Sequence, residues 1–529
     1  MSPGPGEAPR PSLSRRTATA ASWRTASSAV VAALSFGISI WLARLLPPSD
    51  FGLVAMAFLF TGLTRIVSNL GIPSAVVQRP DLTDDQVRTA FTLSTVLGLG
   101  ATILLVVLAP LSTLVFPEPR VPDVLRAVAP MFLFTGLGNV AGALLRRALD
   151  FRRIFWVSVL SHVFGYGAVA IGLALAGFGV WSLVFGALFS PIVETGLLLA
   201  MVRHPVRPRL RRDEIREITG LGAGFSLGEI LGFGARNGDK LVIGRFLGEG
   251  SLGLYGRAYA LIRMPAEYVG EVLYAVLFPA FSEVQKDRRR LTSAYLRSTE
   301  LALIVAGPVL AGMVVAAPEL VVGLFGPAWQ GSVVPLQVLA VVGVLSMGYP
   351  VSTNVANAQG RVYAVSLRTG VFLVAILVLG FLATPWGIVG VSAAVTAAHG
   401  IMYVLMSGLA LRSLGLSWGR FGRAHLPGLV LALEVAAAAL LVRWGLVRAD
   451  LPDLAVLAAL VATCALTLWA GFRTLPVSVR PDELIESLRQ GLPPLSPRLR
   501  SLVDALLGPG GVADPAPPRT GRRGGSLLP

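Results

Sequence analysis

GARNGDKLVIGRFLGEGSLGLYGRAYALIR, residues 234–263, places an Arg, an Asn, an Asp and a Lys between Arg236 and Lys240, inside a run that is otherwise apolar. The surroundings decide what these polar groups mean. Of the 529 residues, 54% are hydrophobic and only 14% charged, with a mean hydropathy of +0.71. A soluble globular chain carries about 25% charge, so this is the composition of a membrane protein. A membrane-crossing helix takes about 20 mostly apolar residues, and about fourteen such windows follow one another with short breaks. They cover roughly 25–46, 51–75, 90–116, 121–145, 154–177, 180–202, 218–246, 251–282, 297–325, 331–357, 363–385, 388–411, 425–447 and 452–472. The expected fold is therefore all-α and integral to a membrane.

The net charge of +16 raises the question of nucleic acid, and the positions of the charges answer it. Counted from a cytoplasmic N-terminus, the even-numbered gaps between spans hold the arginines. They include Arg146, Arg147, Arg152 and Arg153, then Arg203 to Arg216, then Lys286 to Arg290, then Arg412, Arg420 and Arg423. The odd gaps offer Arg120, Arg443 and Arg448. That is the bias by which cytoplasmic loops keep positive charge, and it places both termini in the cytoplasm. The basic balance needs no nucleic-acid partner. The single Cys464 lies in the last span, so neither an intrachain disulfide nor a Cys/His metal spacing exists, and no metal or cofactor is expected. The N-terminal segment leads into a full-length span and does not read as a cleaved signal.

ARLLPPSDFGLVAMA, residues 43–57, lies over GRFLGEGSLGLYGRA, residues 244–258, with Arg44 on Arg245 and Gly52 on Gly253, an offset of 201. Further on, LAGFGVWSL at 175–183 lies over ATPWGIVGV at 383–391, with Gly179 on Gly387, an offset of 208. Six spans is an even number, so the copies share one orientation and form a parallel repeat about an axis along the membrane normal, a transporter design. The expected organisation is a cytoplasmic tail (1–24), a six-helix lobe (25–203), a basic linker (204–217), a second, pseudo-symmetric six-helix lobe (218–412), two further spans (413–472) and a cytoplasmic tail (473–529). In that tail Leu499, Leu502, Val503, Leu506 and Leu507 share one helical face, an interfacial amphipathic pattern.

Four segments carry a family resemblance: DKLVIGRFLGEGSLGLYGRAYAL (239–261), VLFPAFSEVQKDRRRL (276–291), ELVVGLFGPAWQGSVVPLQVLAVVGVL (319–345) and GFGVWSLVFGAL (177–188). Together they resemble the polysaccharide and O-antigen flippases of the multidrug, oligosaccharidyl-lipid and polysaccharide exporter superfamily. Within it they are most similar to the lipopolysaccharide, exopolysaccharide and teichuronic acid export branch. The resemblance implies transport rather than catalysis, in a bacterial plasma membrane. It further implies a polyprenyl-diphosphate-linked oligosaccharide as substrate, moved between leaflets through a cavity between two lobes. Membrane lipids, and a polysaccharide polymerase with glycosyltransferases, are the other implied partners. The alternatives within the superfamily are a peptidoglycan-precursor flippase and a cation-coupled multidrug antiporter. Outward loops under about fifteen residues leave little room for an extracellular active site.

Charges at membrane depth cost roughly 2.5 to 3.5 kcal/mol each on insertion scales, so they face water or a partner. On a helix, Glu229, Arg236 and Lys240 form one stripe flanked by Asn237 and Asp239. Arg236 and Lys240 are candidates to meet a diphosphate, and Glu229 and Asp239 to bind a coupling cation; for Lys240, snorkelling to the membrane surface competes. In the eighth span Arg263, Glu267 and Glu271 recur every four residues around Pro265. Arg65, in the middle of the second span, has no charged counterpart in the other half: the offset of 201 puts it over Ala266. Arg65 and Arg263 join the cavity candidates, and Glu267 and Glu271 the candidate counter-ions. Glu194, Glu300 and Glu434 stand singly in their spans and are weaker candidates. Gly220, Gly224, Gly228 and Gly232 form a small-xxx-small ladder suited to close helix packing.

Overall fold

Pro47 and Pro48 cannot continue a helix but can begin one, so α1 (Leu13–Leu45) stops before them and α2 (Pro48–Asn69) starts on the second. The same punctuation runs through the computed structural model of the chain, which describes residues 13–69, 71–79, 81–211, 226–265 and 287–474. The long helices continue as α3 (Asp84–Leu108), α4 (Met131–Arg147, led in by Val121–Val128), α5 (Phe151–Leu160, extended by a π-helical segment Ser161–Ala168 and then Val169–Leu175) and α6 (Val180–Met201). After them come α7 (Ser226–Phe246), α8 (248–265), α9 (Arg288–Val315), α10 (Val333–Ala358), α11 (Val362–Leu382), α12 (Gly387–Leu414), α13 (Leu426–Arg448) and α14 (Asp453–Thr474). No strand occurs among the described residues.

Among the described residues, twelve spans are long and apolar enough to cross a membrane. The seventh expected span falls on α7, where Glu229, Arg236, Asp239, Lys240 and Arg245 crowd a 21-residue helix. The eighth falls on α8, which runs to the limit of the described residues. Glu267, Glu271, Gly220, Gly224, the linker beyond 211 and the tail from 475 lie outside those residues.

Starts at one end of the bundle are capped by side chains. Thr83 and Gln86 form a reciprocal capping box at α3, while Asp150 caps α5 and Asp287 caps α9. At the other end the turns rely on glycine. Gly179 and Gly387, matched in the repeat, both hold positive φ, 54° and 64°, where α6 and α12 begin. Large apolar side chains such as Leu114, Leu175, Leu441 and Leu466 are exposed along the helices, as expected of a surface solvated by lipid. Exposed aromatics gather near helix ends: Trp41, Trp386 and Trp444 towards one end, Trp156, Tyr363 and Trp418 towards the other, the pattern of two interfacial belts.

Within the bundle α3 packs on α4, α1 on α5, and α6 on α4 and the π-helical segment; α7 packs on α11, α10 on α12, and α9 on α10. α2 packs on α7 and so links the two sets, and α13 lies along α9 with α14 beside it. Arg443 does not belong to a connecting loop, because α13 runs on to Arg448. Its Nε instead donates to Oε1 of the buried Glu319 at 2.7 Å, which ties α13 to the chain just after α9.

Candidate functional site

The first turns of α2 and α8 cross where each carries a glycine. A β-carbon on Gly52 would collide with the carbonyl oxygen of Glu249, and one on Gly253 with that of Pro48. The contact is reciprocal, since 249 − 48 and 253 − 52 both equal the repeat offset of 201. Only glycine lets these backbones meet, because the obstructing atoms are main-chain and cannot swing aside. A second reciprocal pair surrounds it. Arg44, at the end of α1, donates from Nε to the Leu324 carbonyl at 2.7 Å and from Nη2 to that of Gly323 at 2.5 Å. Its repeat partner Arg245, at the end of α7, donates to the Val115 carbonyl at 3.2 Å. Trp329, fully buried, donates its indole N–H to the Ala43 carbonyl at 2.7 Å, and Ser332 bonds the Leu254 carbonyl at 2.8 Å. At the rim Arg120 bridges Glu118 (2.6 Å) and Glu249 (3.2 Å). The hydrogen bond from Arg120 holds the Glu118 carboxyl below its ordinary range. The glycine crossings and the bonds of Arg44, Arg245, Trp329 and Arg120 to the other half join the two sets of helices into a seal across one end of the bundle.

Beneath the seal lies a cavity of about 380 Å³, between α1 and α8. Ser28, Ser35 and Ser39, spaced seven and four apart, present one face of α1 to it, and α8 contributes Arg257 and Arg263. Arg257 is only 9% exposed. Its guanidinium lies 4.6 Å from the Phe51 ring centre and 4.8 Å from those of Phe325 and Trp329, so three rings of the seal form its box. One Nη donates to Ser39 Oγ, while its buried Nε has no hydrogen-bond acceptor among the described residues. An unpaired buried donor is costly, and here it is held next to the cavity. Ser35 spends its single proton on the Val31 carbonyl at 2.7 Å, so His162 Nε2, also at 2.7 Å, is the donor to Ser35 Oγ. His162 belongs to the π-helical segment of α5, where widened turns often mark functional sites. The arrangement offers a fork-shaped cation, a second arginine and hydroxyls to an anionic group, in a site walled by apolar residues.

The other residues singled out from the sequence are dispersed. Arg65 is exposed on α2, and its side chain has no hydrogen bond or ion pair among the described residues. Arg236 is exposed and stands 3.8 Å from Glu229, which is likewise exposed. Lys240 donates to Asn237 at 3.0 Å and lies 5.8 Å from the Tyr259 ring centre. Asp239 does not share their surface. It is 2% exposed, accepts a 2.6 Å hydrogen bond from Tyr255 on Oδ2, and leaves Oδ1 buried without a partner among the described residues. The expected stripe is thus divided, because α8 packs against one edge of α7 and covers Asp239 while the Arg236 edge stays open. Glu194 lines a small pocket with Arg146, and Glu300 lines a basic cavity at the side-chain-capped end. Arg257 was not singled out from the sequence. Its signal was a broken repeat, since the offset of 201 sets it over the apolar Met56.

Comparison with known proteins gives the family and the fold. The profile of a family described as "Polysaccharide biosynthesis protein" matches residues 41–334. The chain is 28% identical to the lipopolysaccharide biosynthesis protein WzxC of Escherichia coli (strain K12), over 68% of this chain and 73% of that protein. It is 29% identical to the succinoglycan biosynthesis transport protein ExoT of Rhizobium meliloti (strain 1021), over 66% of this chain and 70% of that one. Among solved structures it resembles the lipid II flippase MurJ in an inward closed conformation, with a TM-score of 0.65 at 13% identity, covering 84% of this chain and 97% of that one. This last likeness is one of fold.

Proposed function

The chain belongs to the polysaccharide biosynthesis protein family, and from that premise we propose that it is a flippase moving a polyprenyl-diphosphate-linked oligosaccharide across the bacterial plasma membrane by alternating access. Names given to its relatives, a biosynthesis protein for lipopolysaccharide and a transport protein for succinoglycan, support that substrate class and a transport role rather than catalysis. The positive-inside bias supports cytoplasmic termini and, with them, an outward-facing sealed end. The cavity lined by Arg257 and Arg263 then opens towards the cytoplasm in the sealed state, on the side where the lipid-linked sugar is made.

One observation carries the reading: a nearly buried arginine with an N–H unspent among the described residues stands at a largely apolar cavity directly under the seal. The diphosphate is the group this cavity suits, with Arg257 and Arg263 as its grip and Ser39, which accepts from Arg257 and keeps its own proton, as a further donor. Engagement of Arg257 by an anion would draw the guanidinium from its box of seal aromatics, so substrate binding and outer opening share one side chain. Arg65, Arg236 and Lys240 are proposed as further contacts for the charged headgroup. Asp239, with one carboxylate oxygen unpaired among the described residues, is proposed as the group that takes up a coupling cation, and Glu229 as counter-ion to Arg236.

The test is reconstitution of the full chain in liposomes with a fluorescent polyprenyl-diphosphate trisaccharide, its outer-leaflet fraction bleached by dithionite. Bleaching of more than half the probe, against half in empty liposomes, is the expected result. Protection of the inner half in the presence of folded protein contradicts the proposal.

A further inference from the structure

At the end of the bundle opposite the seal lies a separate cavity of about 490 Å³, sharing no residue with the one beneath the seal. It is framed by the first four turns of α9 and by the α12–α13 connection. Arg288, Arg289, Arg297 and Arg420 line it, and among the described residues Glu300 is the one acid in its lining. Four guanidinium groups in one concavity repel one another, and a single carboxylate does not balance them.

Among the described residues, neighbouring acids do not relieve this. Asp287 is committed to the N-terminus of α9, where it accepts from the backbone N–H of Arg289 and of Arg290, and its other oxygen pairs with Arg290 at 3.5 Å. Arg288 is held by its Nε bond to the Leu414 carbonyl at 3.0 Å. The side chains of Arg289, Arg297 and Arg420 make no hydrogen bond or ion pair among the described residues. Thr292 and Ser293 add hydroxyls to the same lining, and Leu296 and Leu416 give it apolar surface. Trp418, exposed two residues before Arg420, sets the level at which an indole ring lies among lipid headgroups.

We propose that this cavity is an anion site for a phosphate-bearing group, filled by the headgroup of an anionic phospholipid from the adjacent leaflet. Guanidinium forks and hydroxyls suit phosphate oxygens, and the leucines suit the first methylenes of an acyl chain. The site would make the protein's stability depend on the leaflet around it, independently of what passes through the cavity under the seal.

The full chain, purified in detergent, is tested by native mass spectrometry and thermal unfolding with dioctanoyl phosphatidylglycerol, dioctanoyl phosphatidylcholine or inorganic phosphate. Retained phosphatidylglycerol adducts and a raised Tm, absent with phosphatidylcholine, are expected. The Arg297→Gln/Arg420→Gln double variant should weaken binding at least tenfold, and its Lys/Lys counterpart should retain part of it. Arg152→Gln, an exposed arginine outside the cavity, serves as control. Stabilisation by inorganic phosphate equal to that by the lipid, lost in the same double variant, would support the anion site with a soluble source. Equal losses in the double variant and in Arg152→Gln, or no preference for phosphatidylglycerol over phosphatidylcholine, would overturn the proposal.

Discussion

The seal and the cavity beneath it are made of opposite materials. The seal is built on backbone and built twice: Gly52 meets Glu249 as Gly253 meets Pro48, and Arg44 and Arg245 each reach a carbonyl of the other half. The cavity is built on side chains and built once, with Arg257 standing where the repeat has Met56. A reciprocal contact is self-complementary, as in a two-fold dimer interface, and suits a surface that must part and rejoin in register. A substrate's charge has no such symmetry, and the residues that would meet it have diverged between the halves. The difference suggests where each function resides: closure in what the halves share, recognition in what they do not.

The severest way to break that comparison is at the glycines. Gly52→Val or Gly253→Val places a β-carbon against a main-chain oxygen, so the seal cannot form, and transport in the dithionite assay should fall at least tenfold. Gly62→Ala is the matched control, because the nearest obstruction to its β-carbon is the Phe233 ring, which can turn, and the loss should be under threefold. Next in size is Arg257→Ala, which should leave the protein in the membrane at near-normal levels yet reduce transport about tenfold or more, the scale of about 1.4 kcal/mol for one charge-assisted contact. Arg257→Lys should recover part of it, since an ammonium keeps the charge and loses the fork. A fall in expression matching the fall in transport would instead make Arg257 a structural residue.

Smaller losses are expected at the exposed arginines. Arg65→Ala and Arg236→Ala should insert normally, because Arg65 is exposed and Arg236 pairs only loosely with the exposed Glu229, at 3.8 Å. Their transport should nonetheless fall, and wild-type export of surface polysaccharide from both at matched expression would remove them from the mechanism. The smallest effect belongs to the rim. Arg120→Ala should lower stability by no more than about 1 kcal/mol, since more than half of that side chain is exposed. The contribution of Glu118 has a definite sign. Its folded-state pKa lies below the unfolded value, so the stabilisation is present above the unfolded carboxylate range and is lost as pH falls through the folded value. A melting curve that loses this increment towards acid in the wild type, but not in Arg120→Ala, would confirm it.

Helices were legible in the sequence because lipid imposes length and hydropathy on them: α6, expected at 180–202, runs Val180–Met201, and α10, expected at 331–357, runs Val333–Ala358. The Arg44/Arg245 and Gly52/Gly253 matches were equally legible, as conspicuous residues at a constant offset. What they do was not, because a glycine ladder and a crossing of backbones look alike until the partner strand of chain is placed beside them. Arg257 escaped notice for a related reason. Flanked by Tyr255 and Tyr259 in a motif shared with a family, it reads as part of a pattern, whereas its meaning lies in three aromatic rings from distant parts of the chain. Asp239 was noticed but put on the wrong surface, since periodicity gives angles around α7 and not which edge α8 covers.

The central claim is that the seal must open for substrate to leave, and it is tested by locking the seal shut. In a Cys464→Ala background, Arg120→Cys and Glu249→Cys sit on opposite halves at the rim, where the native side chains are 3.2 Å apart. Joined by a short bis-methanethiosulfonate linker in reconstituted liposomes, the pair should stop transport of the fluorescent trisaccharide lipid, and reduction of the linker should restore it to the unlinked rate. Undiminished transport while the two halves remain linked would contradict the account.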